Sequence, residues 1–196
     1  MSKGAETRRA ILGEALSLAS TRGLGGVSIG ELAKTAGMSK SGLFAHFKSK
    51  ELLDVAVLEE ARDRFVAHVM APALRAPRGV PRIRALFERW MDWETAEFQP
   101  GGCVFMAAAM ELDDQPGPAR DHLVASQRDW DQALRTAAKI AVDEGHFRAD
   151  LDVAQWAFEM WGLALSYHWY SRLLRDPRAL EHVRAAFERL LQSSVA

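Results

Sequence analysis

Three serines, Ser28, Ser39 and Ser49, each stand just ahead of a short run whose apolar residues recur at helical spacing, and they constrain the first quarter of the chain to short helices. A serine in that place offers its hydroxyl to a backbone N–H that the first turn of a helix leaves unpaired. Ser28 is followed three residues on by Glu31, the spacing of a capping box in which hydroxyl and carboxylate each accept from the other residue's N–H. Ile29, Leu32 and Ala33 then give a small apolar face, and Gly37 ends this helix after barely two turns. Ser39 opens the next helix, with Leu43, Phe44 and Phe47 at spacings that share a side. Ser49 opens a longer one, with Glu51 placed well for the helix dipole.

The rest of the chain reads the same way, and the fold class is all-α. A first helix is expected from about Glu6 to Thr21, burying Ile11, Leu12, Ala15, Leu16 and Leu18; the string RGLGGVS then breaks it. The helix after Ser49 is expected to reach Met70, closed by Pro72 and Pro77. Further helices are expected at roughly 81–97, 103–112, 118–144, 152–175 and 178–192, with loops marked by Pro100-Gly101-Gly102, Pro116-Gly117-Pro118, Gly145 and Pro177. Two domains follow: residues 1–50 as a three-helix module, and residues 51–196 as a larger helical body that owns all six tryptophans.

Two short helices joined by a turn at Gly37 and packed on a third make a helix-turn-helix. In that motif the second helix enters the major groove of double-stranded DNA with its N-terminal residues toward the base edges. Ser39, Lys40, Ser41 and Gly42 are small or flexible enough for close approach, and Lys40 can donate to phosphate or to guanine acceptors. Ala45 and His46 fall on the outer side, Lys48 and Lys50 within reach of the backbone, and Ser28 and Phe44 complete the candidate DNA-binding set. Charge agrees. Residues 1–50 hold eight Lys or Arg against three acids, whereas the remainder holds 17 against 23, so a net charge of −1 conceals a basic module on an acidic body. The competing reading is a compact three-helix core with solvated lysines.

The stretch TAGMSKSGLFAHFKSKELL resembles the signature of the TetR family of bacterial transcriptional repressors, whose usual form is close to AGVSKGTLYHYFKSKEEL. The resemblance covers about residues 6–55. It implies a homodimer that binds a near-palindromic operator through two N-terminal domains, and a C-terminal domain that dimerises and holds a small-molecule effector. Lys40, His46 and Lys50 match residues that the family commonly uses. Gly42 and Phe44 stand where the family often has a threonine and a tyrosine, so two hydroxyls that would reach phosphates are missing, and Ser41 is the nearest substitute.

In the larger body, the helix near 152–175 has apolar residues on every side and should be buried on more than one. With the last helix it can form a four-helix dimer interface, for which Trp169, Leu173, Leu180, Val183, Phe187, Leu190 and Leu191 are the candidates; a monomer whose last helix covers the one before is the alternative. An effector pocket is expected among Phe87, Trp90 and Met91, among Phe105, Met106 and Met110, and among Trp130, Trp156, Met160 and Tyr167. Methionines adapt to ligand shape, and the scarcity of charge in that set points to a mainly hydrophobic effector. The same residues also read as plain core. Cys103, at an expected helix start, is either a thiol activated by the dipole or a small buried residue.

Enzyme chemistry finds no foothold. No HExxH or Cys-His metal spacing, G-x-S-x-G elbow or GxxxxGK[ST] loop occurs, and no metal or cofactor is expected. A lone cysteine permits no intramolecular disulfide, the start has no signal-peptide pattern, and the most apolar stretch, Trp161–Tyr170, is too short to span a bilayer. A cytoplasmic, ligand-responsive DNA-binding repressor is the expectation, with no membrane partner. The alternative is a helical ligand-binding or scaffold protein that has lost operator binding.

Overall fold

The computed structural model describes residues 3–195, and every regular element among them is helical. In chain order these are α1 (Lys3–Arg22), α2 (Ile29–Thr35), α3 (Lys40–Phe47), α4 (Lys50–Phe65), a wide π turn at Val66–Met70, α5 (Ala71–Ala73), α6 (Val80–Glu94), α7 (Val104–Leu112), α8 (Pro118–Asp143), α9 (Val153–His168), a second π turn at Trp169–Leu173, and α10 (Ala179–Ser194). They form two compact units. One runs to Val66 and takes in Trp93–Ser126; the other comprises Ala67–Asp92 and the chain from Gln127 onward. The first unit passes residue 50 because α1 packs against both α4 and α7.

In the first unit, Ile11, Leu12, Ala15, Leu16 and Ala19 of α1 are buried at helical spacing, and Leu18 is left half-buried at the edge of the stripe. Beneath α1 lies an aromatic cluster. Trp93 stacks on Phe105 with ring centroids 5.9 Å apart, and Phe65 meets both edge-on at 5.2 and 6.0 Å. Such edge-to-face pairs add attraction beyond their area.

Pro72 does not end the fourth helix. α4 gives way at Val66 to a π turn, and the backbone stays hydrogen-bonded past the proline, with Leu74 N–H on Met70 O at 2.9 Å. A proline inside a helix lacks its own donor and crowds the carbonyl four residues back. Widening the preceding turn accommodates both defects, and Pro72 then sits at the start of the short α5, where it is tolerated.

The second unit is held by α9 and α10 with the Val80–Asp92 part of α6. Phe187 stacks face to face on Phe87 at 3.9 Å, and Trp90 meets Tyr167 edge-on at 6.0 Å. Two surface ion pairs run alongside, Arg84 with Glu188 and Arg184 with Glu88, the latter bidentate with both contacts at 2.6 Å. The π turn after α9 closes with Asp176 N–H on Tyr170 O at 2.9 Å and Arg175 in the left-handed region at φ 53, the place where a helix ending usually has glycine.

Candidate nucleic-acid interface

The helix-turn-helix is built by local chemistry. Ser28 Oγ accepts from Glu31 N–H at 3.1 Å and starts α2, but only this half of the expected capping box forms: the Glu31 carboxylate takes the Arg22 guanidinium at 2.7 Å instead. The end of α2 is a paired glycine cap. Met38 N–H donates to Ala33 O at 2.8 Å and Gly37 N–H to Lys34 O at 3.2 Å, with Gly37 at φ 63 where a side chain would strain the backbone. The chain is then aimed straight into Ser39, whose Oγ accepts from Gly42 N–H at 3.1 Å and starts α3. Four residues, Ala36 to Ser39, separate the two helices.

Leu43 and Phe47 are buried and hold α3 against its neighbours, and the Arg8 guanidinium sits 5.2 Å from the Phe47 ring centroid. On the opposite side Lys40, Ser41, Ala45 and Lys48 are exposed, and Phe44, expected to share the side of Leu43 and Phe47, is exposed with them, because its position one residue past Leu43 turns it away from the core. Ser39 is exposed beside them with its hydroxyl 3.0 Å from that of Ser41, and Ser28 is exposed at the head of α2. Gly42 and His46 are half-buried at the margins. Lys50 stands apart from this face. Its amine donates to Leu24 O at 2.7 Å and to the Asp54 carboxylate, so its charge serves the α1–α2 turn.

A family model described as the tetracyclin repressor-like C-terminal domain matches residues 79–187, and one described as bacterial regulatory proteins, tetR family, matches residues 11–57. The chain belongs to the tetR family. It is 29% identical over 194 residues to the HTH-type transcriptional regulator TcmR of Streptomyces glaucescens, covering 95% of this chain and 82% of that protein. A TetR transcriptional regulator from Chloroflexus aurantiacus superposes with a TM-score of 0.86 at 25% identity, over 98% of this chain and 96% of that one. AibR, solved in complex with isovaleryl coenzyme A and operator DNA, gives 0.69 at 26% identity over 84% and 85% of the two chains. As a member of the tetR family the chain is a ligand-responsive, DNA-binding transcriptional regulator, and a scaffold that has lost operator binding is not favoured.

The residues expected to line an effector pocket in this tetR-family chain are divided between the two units. Phe105, Met106 and Met110 belong to the first unit, where Phe105 and Met106 are core and Met110 is exposed. In the second unit Phe87, Trp90, Trp130 and Met160 do converge, but around a space of only about 10 Å³, too small for a ligand. Met91, Trp156 and Tyr167 of that unit are buried. Large aromatic side chains at helical spacing fill the interior they were expected to open. A cavity of about 400 Å³ lies elsewhere in the same unit, walled by apolar residues such as Met70, Leu86 and Ile140, with Arg82, Asp129, Gln132 and Thr136 also lining it.

The residues expected at a dimer interface also divide. Val183, Phe187, Leu190 and Leu191 are buried within the second unit itself, whereas Trp169, Leu173 and Leu180 are exposed. Phe158 at 70% exposure, Leu165, Trp169 at 56% and Leu173 at 61% run along one face of α9 and its π turn, a stripe without a partner among the described residues. Cys103 is buried as well. Burial, and then the Glu94 charge, push its thiol up to about 12, against the smaller opposing effect of the Trp93 indole N–H at 3.3 Å. The reading of an activated thiol is thereby overturned. Among the described residues no helix is long and apolar enough to cross a membrane.

Proposed function

We propose that the chain is a cytoplasmic, homodimeric repressor without enzymatic activity. Residues 1–50 form its DNA-binding domain and residues 51–196 its effector-binding and dimerisation domain. Each α3 enters the major groove at one half of a palindromic operator. The observation that carries this reading is the face of Lys40, Ser41, Phe44, Ala45 and Lys48, exposed together on a helix that buried Leu43 and Phe47 hold in place. Lys40 at the N-terminal end reaches base edges or phosphate, Lys48 at the other end reaches phosphate, and the apolar Phe44 and Ala45 between them suit thymine methyls.

The unpartnered stripe on α9 supports the homodimer, since a palindromic site asks for a twofold protein. A small, mainly hydrophobic effector is supported by the 400 Å³ cavity, which is within the size range of small-molecule sites and mostly apolar in its walls. Effector binding that changes the spacing of the two α3 helices away from the roughly 34 Å of one DNA turn releases the operator.

The test is a selection of fragmented genomic DNA by the purified, effector-free protein at about 0.15 M salt, the range where phosphate contacts alone bind weakly. One enriched inverted repeat, with half-sites about a helical turn apart, is expected. A folded dimer that enriches no sequence would defeat the repressor reading.

A further inference from the structure

The turn between α1 and α2 is gripped by two side chains that neither cap a helix nor lie on the exposed face of α3. Gly25 N–H donates to Glu111 Oε1 at 2.5 Å, and Leu24 O accepts from the Lys50 amine at 2.7 Å. Glu111 stands near the end of α7, 86 residues along the chain from Gly25. Two glycines admit it. A β-carbon at position 23 would lie 2.7 Å from Glu111 Oε2, and one at position 25 would lie 2.4 Å from Oε1, closer than side-chain carbons approach.

Holding this carboxylate in place works against stability. Its Oε2 is buried and has no hydrogen-bond partner among the described residues. Its charge also reaches Asp54, whose pKa is raised first by burial and then by Glu111 and Glu51, against the opposing effect of Lys50. A buried carboxylate oxygen without a donor costs more than a neutral side chain of the same shape. What the arrangement does supply is a fixed backbone: Gly25 is held by α7 at its N–H, and Leu24 by α4 at its carbonyl. Three residues later Ser28 starts α2, which packs directly on α3.

We infer that Glu111 is a positioning residue for operator binding, which fixes the Gly25 amide and through it the angle at which α2 and α3 are presented. Glu111 belongs to the segment matched by the C-terminal family model and Gly25 to that matched by the N-terminal one, so this hydrogen bond joins the two family modules inside one compact unit. The inference rests on the operator-binding reading above.

Three full-length proteins test it: wild type, Glu111→Ala and Glu111→Gln. Glutamine keeps a carbonyl oxygen for Gly25 N–H, and alanine does not. Affinity for the selected operator fragment is expected to fall about tenfold or more in Glu111→Ala, and to stay within about threefold of wild type in Glu111→Gln. Thermal midpoints of the three should be close, because removing the alanine variant's hydrogen bond also removes the buried orphan oxygen. Amide exchange supplies a readout independent of DNA: Gly25 N–H should exchange faster in Glu111→Ala and be protected in Glu111→Gln. Gly25→Ala should displace the Glu111 carboxylate in wild type and lower operator affinity as Glu111→Ala does, and should add little on the Glu111→Ala background. Equal operator affinity in wild type and a folded Glu111→Ala overturns the inference, as does unchanged exchange at Gly25. Wild type that enriches no DNA overturns the operator-binding reading instead, and that result is distinct from a wild type that binds no better than its alanine variant.

Discussion

Lys48 has φ 63 and ψ −37, and the Ser49 N–H donates back to Phe47 O at 2.7 Å across it. This is a three-residue turn of positive φ, a strained shape for any residue with a β-carbon, with a cost of order 1–3 kcal/mol. Glycine would adopt it freely. A lysine there, at the end of the exposed face of α3, fits the proposed phosphate contact rather than any need of the fold. Lys48→Gly is therefore expected to raise the thermal midpoint and to weaken binding to DNA of any sequence, with a shallower salt dependence because fewer phosphates are neutralised. A variant melting below wild type would remove the strain argument. Cys103 leads to the opposite kind of expectation. With its thiol pushed up to about 12, only about one part in ten thousand is thiolate at pH 8, so a maleimide should label the folded protein far more slowly than the unfolded chain. Rapid labelling of folded protein would place the thiol at the surface. Ser28, Ser39 and Ser49 show why part of this scale is legible in sequence: each accepts from the N–H three residues on, so composition and spacing alone specify the contact. Lys50 shows the limit. Its partner Leu24 lies 26 residues back, and a lysine in a recognition segment looks the same in sequence whether its amine meets phosphate or a carbonyl.

At the scale of elements, the short helices and most of the long ones were readable because caps and glycines act locally, whereas the fate of an apolar face was not. α10 places Val183, Phe187, Leu190 and Leu191 on one side, and periodicity says that this side is covered without saying by what. The cover is the chain's own α9 together with Phe87 of α6. A substitution at Phe187 consequently reports on folding. Phe187→Ala should cost about 3–5 kcal/mol of stability, through lost burial and the cavity left beside Phe87, while leaving the exposed stripe of α9 intact. Loss of less than about 1 kcal/mol in chemical unfolding would show that the Phe87–Phe187 stack is not part of the core. The same limit explains the effector residues. Aromatic and methionine side chains at helical spacing fill space as readily as they line it, and only packing against Trp130 and Met160 decides that Phe87 and Trp90 fill it.

For the whole molecule the question is what covers Phe158, Leu165, Trp169 and Leu173. A continuous apolar stripe on a helix is costly to leave in water, and this one lies on an element whose other side already packs on α10. In the proposed homodimer a second copy of the chain covers it, since the same stripe on both subunits would be self-complementary about a twofold axis. In that proposal the same axis relates the two half-sites of an inverted repeat, so association and operator binding are linked equilibria. Leu173→Glu sets a carboxylate on the exposed stripe and leaves the core of the second unit alone. It should sediment as a monomer at concentrations where wild type is a dimer, and should lose affinity for a two-half-site fragment by a large factor while binding a single half-site about as well as one wild-type subunit does. A Leu173→Glu protein that remains dimeric would place the interface elsewhere. One that is monomeric yet binds the full operator as tightly as wild type would separate dimerisation from DNA recognition, and the twofold argument would fail even with α3 correctly assigned.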